Sequence, residues 1–290
     1  MRWPGILAGA LLLFPALAFA QPEERFRPKG SYNNAVHRFH PDLDARLNAV
    51  RYGRWRALQV AWRSGINEQL DLEISEFLRK MLADPPRFAP EADRVASAPA
   101  REAAPIFRAL RWGGTLEQQF LDILASADAT PQLSESRVER ALSLYRRDRF
   151  ALSEPAEPIE PPSELFALAP MSARILSAGT RLAALAAADL VTSDFAEQRW
   201  KVRQTVQQFD PARGDVQPGG ASYFADAAAV ASAYPTMAAA LDRVARFRIE
   251  VFGALIPGAA TPEAARRRDE RLRAVARRYG LPVKGIGVAD

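Results

Sequence analysis

Apolar residues recur at helical spacing along almost the whole chain, and strand-like alternation is nearly absent. The clearest segment is Pro41 to Gly65. There Leu43, Leu47, Val50, Leu58 and Ala61 fall on one face, with Arg51, Trp55, Leu58 and Trp62 as an adjacent stripe. Pro41 suits a first helical turn, Asp42 and Asp44 place negative charge near the positive helix end, and Gly65 is a natural stop. Asn67 predicts the cap of a second helix, about Glu68 to Ala83, which Asp84-Pro85-Pro86 ends. A third helical region spans Pro99 to Ala125, with Gly113-Gly114 marking either a kink or a close approach of neighbouring backbone. A fourth helix is expected from about Ser134.

Beyond the segment Ser153 to Pro162 the chain becomes richer in alanine. Helices are predicted over Met171–Val191, from Ser193 or Asp194 onward, over Tyr223–Ala233, from Pro235, and from Thr261-Pro262-Glu263 to Tyr279. The fold class is therefore all-α, an irregular multi-helix bundle of about eight or nine helices, either single or split into two helical lobes. The expected organisation is a signal peptide (1–20), an N-terminal arm (21–38), an N-terminal lobe (39–152), a proline-rich linker or crossing (153–170), a C-terminal lobe (171–280) and a flexible tail (281–290).

Composition changes this picture at the N-terminus. Arg2, the apolar stretch Ile6–Phe19 and the small-x-small triplet Ala18-Phe19-Ala20 read as a cleaved secretory signal. The apolar run, about 14 residues, is short for a bilayer span, and no later segment is long and apolar enough to cross one. The expected address is periplasmic or secreted, and no nucleic acid is expected as a partner there. The chain has no cysteine, so it must be stable by packing alone, and thiolate metal sites and thiol nucleophiles are excluded. The net charge of +5, almost all from arginine, points weakly to anionic surfaces.

Three clusters carry candidate chemistry. Both histidines lie together, so His37, His40 and Asp42, with Asp44 beside them, form a candidate metal or cofactor set; no particular cofactor is implied. Each tryptophan after residue 20 has an arginine neighbour, so Arg54, Trp55, Arg111 and Trp112 are candidates to line a pocket for an anionic or aromatic ligand. Arg54 falls within an apolar face and needs a partner; Glu117, equally out of place on its own apolar face, is the candidate. Finally, Arg266, Arg267, Arg268 and Arg271 decorate the last helix and are candidates for contact with an envelope protein or an anionic membrane surface. Hydrolase elbows, HExxH, phosphate-cradling glycine loops and dinucleotide fingerprints are missing from the sequence. The sequence reading is thus an exported, non-catalytic binding or scaffolding protein, with the histidine cluster and the arginine–tryptophan pocket as alternatives.

Overall fold

The computed structural model describes residues 34–155, 163–209 and 228–287. These residues form an all-α fold with no strand among them. Eight helices have 14 or more residues: α2 (Pro41–Ser64), α3 (Glu68–Ala83), α6 (Ala104–Leu124), α7 (Pro131–Arg147), α9 (Pro170–Thr192), α10 (Phe195–Gln208), α12 (Pro235–Ala254) and α13 (Pro262–Arg278). Short segments fill the gaps: α1 (Ala35–Phe39), α4 (Ala92–Val95), α5 (Ser97–Glu102), α8 (Ser163–Leu168) and α11 (Ala228–Ala233). No helix among the described residues is long and apolar enough to cross a membrane.

Local chemistry sets the boundaries. Pro41 opens α2, and Gly65 closes it at φ 74°, a conformation a side chain would resist. Asn67 Oδ1 accepts from Leu70 N–H at 2.9 Å, capping α3. The fourth long helix begins earlier than its apolar pattern suggests. Thr130 Oγ1 accepts from Leu133 N–H and Pro131 occupies the first turn, a start signal placed ahead of Ser134. The paired glycines do not interrupt α6. A Cβ at Gly113 would come within 2.8 Å of Val244 Cγ1, so its bare backbone lets α12 pack closely.

Each of the two apolar clusters draws on both sides of the proline-rich segment. One joins Leu58, Trp62, Ile74 and Ile106 to Phe247, Leu272 and Tyr279; the other joins Leu43, Phe120 and Leu142 to Leu182, Val202 and Met237. The expected two-lobe alternative, 39–152 against 171–280, therefore does not correspond to two separate cores. Most of the segment itself, 156–162, lies outside the described residues, as do the signal segment, residues 21–33 of the arm and residues 223–227 of the predicted Tyr223–Ala233 helix.

The tail differs from expectation. Leu281 and Ile286 are buried, Gly287 N–H donates to the Glu102 carbonyl at 2.8 Å, and Arg273 Nη2 donates to the Ile286 carbonyl at 2.8 Å. Residues 280–287 are thus packed on the body, because two apolar side chains among the glycines find core positions.

One relationship between helices places the site. α2 packs on α3 and α9, and α6 packs on α7 and α12, but α2 and α6 are bridged by long side chains rather than by close backbone packing. They run antiparallel: Arg51 reaches Gln118, Trp55 meets Phe107, and Trp62 reaches Glu102 just before α6 begins. The space between them is a cavity.

Candidate functional site

The cavity has a volume of about 550 Å³, within the range of small-molecule sites. Its walls repeat along the facing helices. α2 contributes Asp44, Asn48, Arg51, Arg54, Trp55 and Leu58, spaced by three or four residues or adjacent, so that they share a face. α6 contributes Leu110, Arg111, Gly114, Thr115, Gln118, Gln119 and Asp122 in the same way. Because the helices are antiparallel, the order matches on both walls: carboxylates at one end, amides and arginines in the middle, apolar and aromatic groups beyond. Arg248 and Phe252 of α12 close one side; Arg87, Phe88, Ala89 and Pro90, from the loop after α3, form a rim. Phe88 is 70% exposed and stacks on His37, with ring centroids 6.3 Å apart.

The expected pair Arg54 and Glu117 does meet. Their charged groups lie 3.8 Å apart, and Arg248 Nη2 donates to Glu117 Oε2 at 2.5 Å. Thr180 Oγ1 accepts from both arginines, at 3.1 Å from Arg54 and 3.4 Å from Arg248. Burial pushes the Glu117 carboxyl up, but Arg248, Arg54 and Arg51 together outweigh it and hold it below the usual carboxylate range. Glu117 is not itself a lining residue. It is the counter-ion behind the wall. Arg54 is held from the other side by Gly179, where a Cβ would come within 2.7 Å of Arg54 Nη2.

Arg51 is different. Its Nη1 donates to Asn48 Oδ1 at 2.9 Å and its Nη2 donates to Gln118 Oε1. Both partners are neutral amides, and no carboxylate among the described residues contacts this guanidinium. The same two amides lead onward to acids. Asn48 Nδ2 lies 3.4 Å from Asp44 Oδ2, and Gln118, one turn before Asp122 on α6, helps to hold the Asp122 carboxyl down. One guanidinium and two carboxylates are thus separated by a single amide on each helix. Burial pushes the Asp122 carboxyl up to about 6; hydrogen bonds from Val36 and Asn34 backbone N–H and from Gln118 oppose this, and the Asp44 charge adds to it. Next to these groups, Gln119 is buried, and its Nε2 has no hydrogen-bond partner among the described residues. Such an orphan donor in a polar wall costs stability unless something else accepts from it.

The aromatic candidates separate. Trp55 lines the cavity and packs on Phe107 at 5.1 Å between centroids. Trp112 also lines it, stacked on Tyr145 at 5.9 Å with Nε1 donating to the Tyr145 carbonyl at 3.1 Å. Arg111 lies on the wall with its guanidinium carbon 5.9 Å from the Phe107 ring centre. So Arg54, Trp55, Arg111 and Trp112 share one cavity, from two helices far apart in sequence. Sequence reasoning passed over Asn48, Gln118, Gln119, Asp122 and Arg248, and assigned no binding role to Arg51. The signal for three of them, Gln118, Gln119 and Asp122, was a polar stripe at helical spacing on α6, running from Arg111 to Asp122 beside the apolar face.

The histidine cluster does not assemble. His37 Nδ1 pairs with Asp44 Oδ2 at 2.8 Å on the cavity wall. His40 instead lies in a small recess beside Asp42, Arg199 and Arg203, with burial and Arg199 lowering its pKa to about 4, so its imidazole is neutral at neutral pH. Asp42 is 3.6 Å from Arg203. Among the described residues no group of three or more His, Cys, Asp or Glu side chains is placed to hold a metal ion. The helix break before Pro41 is the reason: α1 and α2 turn the two imidazoles in different directions.

The basic helix loses one member. Arg266 and Arg267 are exposed, and Arg271 is exposed 3.9 Å from Glu164, but Arg268 is fully buried. Its guanidinium lies 4.0 Å over the Trp62 ring, donates to the Trp62 carbonyl at 3.0 Å and pairs with Asp269 at 2.8 Å. Arg268 falls one turn before Leu272, on the inward face of α13, so it is a core residue and is not available to a surface.

No protein family, no curated protein and no solved structure is found to match this chain.

Proposed function

We propose that the protein is an exported, non-catalytic helical binding protein whose cavity takes a small amphipathic anion. The observation that carries this reading is Arg51: a guanidinium on the wall of a partly aromatic cavity, oriented by two amides and without a contacting carboxylate among the described residues. A charge held in place with donors to spare, beside apolar walls, is what recognition of a carboxylate or phosphate requires. Five arginines line the cavity against two aspartates, so the local field favours an anion. Trp55, Leu58, Leu110 and Phe252 supply the surface for an apolar body. Export rests on the charged start, apolar stretch and small-x-small triplet of residues 1–20.

Calorimetry of the full chain with n-octyl phosphate and, as a neutral match, n-octyl glucoside tests the binding reading. Saturable one-to-one binding of the phosphate is expected, weakened at least about tenfold in Arg51→Met, with little binding of the glucoside. Equal affinity for both, or no binding of either, contradicts it. Mass determination of the protein isolated from its native cells tests export: the expected N-terminus is Gln21, and an intact Met1 removes that part of the proposal.

A further inference from the structure

The cavity holds an arrangement that an anion alone would leave half used. At one end lie two carboxylates, Asp44 and Asp122, 8% and 5% exposed, contributed by facing helices. They are close enough for the charge on Asp44 to raise the affinity of Asp122 for its proton. Neither is contacted by a lysine or arginine among the described residues. Asp44 has His37 and the long contact from Asn48, both on Oδ2; Asp122 has Val36 N–H at 2.9 Å, Asn34 N–H and Gln118. A carboxylate pair accepts about eight hydrogen bonds in all, so acceptor capacity remains on both. Two like charges buried side by side are costly, and a cation between them relieves both desolvation and repulsion.

The cationic counterpart is one amide away on either side. Arg51 donates to Asn48 and Gln118; Asn48 Nδ2 lies 3.4 Å from Asp44 Oδ2, as it does from the Pro86 and Arg87 carbonyls, and Gln118 is one turn from Asp122. The amides stand between the guanidinium and the carboxylates, which make no direct contact among the described residues. A surface ion pair would have collapsed. Here the positive and negative groups lie apart on the wall of a cavity, with Gln119 adding a buried amide nitrogen that has no partner among the described residues. The mirror image of this wall is a molecule with an ammonium group and an anionic group a short distance apart, both carried on an apolar body.

We infer that the ligand is a zwitterionic amphiphile, its ammonium group between Asp44 and Asp122, its anionic group against Arg51, and its apolar body over Trp55, Leu58 and Phe252. This rests on the anion-binding reading above and adds a cationic group beside the anion. Two sources share that chemistry: an α-amino acid with a long or aromatic side chain, and a phosphoethanolamine amphiphile.

Two matched pairs of probes, measured by calorimetry on the full chain, separate these possibilities: 2-aminodecanoate with decanoate, and octyl phosphoethanolamine with octyl ethyl phosphate, a phosphodiester of the same charge without the ammonium group. Within each pair the tail and the anion are kept and only the ammonium group differs. In at least one pair the zwitterion is expected to bind about tenfold or more tightly than the plain anion, as a charge-assisted hydrogen bond to a buried carboxylate predicts. The pair that shows it identifies the source. In the double variant Asp44→Asn/Asp122→Asn that ratio is expected to fall to about one. If both plain anions bind and neither zwitterion gains, the inference is overturned while the anion cavity stands. If none of the four probes binds, the underlying reading falls with it. Because the wild-type comparison alone decides the ratio, misfolding of the double variant would not protect the inference.

Discussion

Two clusters on α2, a few turns apart, use the same residue types and do opposite things. Around Trp62, Arg268 is fully buried under the indole, its charge met by Asp269 at 2.8 Å and by Glu102 at 3.6 Å, while Trp62 Nε1 donates to Glu102 at 2.6 Å. Around Trp55, Arg51 lies on a cavity wall, its contacts are neutral amides, and the nearest lining acids are reached only through those amides. The difference comes from the neighbouring backbone. Near Trp62, α13 comes in and fills the space, so every donor finds a partner and the arginine acts as a staple. Near Trp55, α2 and α6 stay apart and only long side chains cross. Charge met by carboxylates where helices pack closely is structural; charge oriented by neutral amides on a cavity wall is the mark of a binding site.

The largest effect that separates the clusters is on stability. Arg268→Ala leaves Asp269 and Glu102 without their cation and opens a void under Trp62. It is expected to lower unfolding free energy by about 3–5 kcal/mol in denaturant titration. A loss under about 1 kcal/mol would remove the contrast with Arg51. Next comes the counter-ion behind the cavity wall. Glu117→Gln deprives Arg54 and Arg248 of their carboxylate, with an expected loss of about 2–3 kcal/mol, read in the same way.

Arg51→Met should behave in the reverse sense. The two amides can turn to each other's neighbours or to water in the cavity, so stability changes by less than about 1 kcal/mol, whereas octyl phosphate affinity falls at least about tenfold, or 1.4 kcal/mol. Asp122 supplies a pH signature. Its folded carboxyl titrates near 6, above the ordinary 3.8, so the folded state holds the proton more tightly than the unfolded chain. Stability from this group is therefore greatest at low pH, declines as pH rises from about 4 to 6, and stays reduced above. Asp122→Asn is expected to stabilise the protein at pH 8 by up to about 2 kcal/mol and to have little effect near pH 4. A variant that destabilises equally at both pH values would show that the carboxylate serves packing. The smallest effect belongs to the solvated face of α13: Arg266→Ser with Arg267→Ser should change stability by less than about 0.5 kcal/mol.

Much of the frame is legible in the sequence because its signals are local. Pro41 with Gly65, and Asn67 with Asp84-Pro85-Pro86, bound α2 and α3 where the structure has them. Even the meeting of Arg54 with Glu117 could be read, since an ionised group on an apolar stripe demands a partner of opposite sign. What could not be read depends on which helices stay apart. Nothing in the apolar pattern of α2 or α6 says that they leave a gap, so Asn48, Gln118 and Gln119 look like ordinary helix-surface amides. Arg248 lies one turn after Val244 and one turn before Phe252, a buried register that its charge disguises. The run Arg266-Arg267-Arg268 misleads in the same way: consecutive residues on a helix point in directions roughly 100° apart, and Arg268, one turn before the buried Leu272, is the one that turns inward. The histidines misled because closeness in sequence across a helix break is not closeness in space.

The central claim is that the gap between α2 and α6 receives an amphipathic anion with its charged end at Arg51. The most direct measurement is a crystal structure of the full chain with 8-bromo-octyl phosphate, locating the bromine by its anomalous signal. The phosphate is expected within hydrogen-bond reach of Arg51 and the bromine beyond it, among Trp55, Leu58, Leu110 and Phe252. A phosphate bound elsewhere, or a ligand lying in the cavity with its bromine at Asp44 and Asp122, would contradict it.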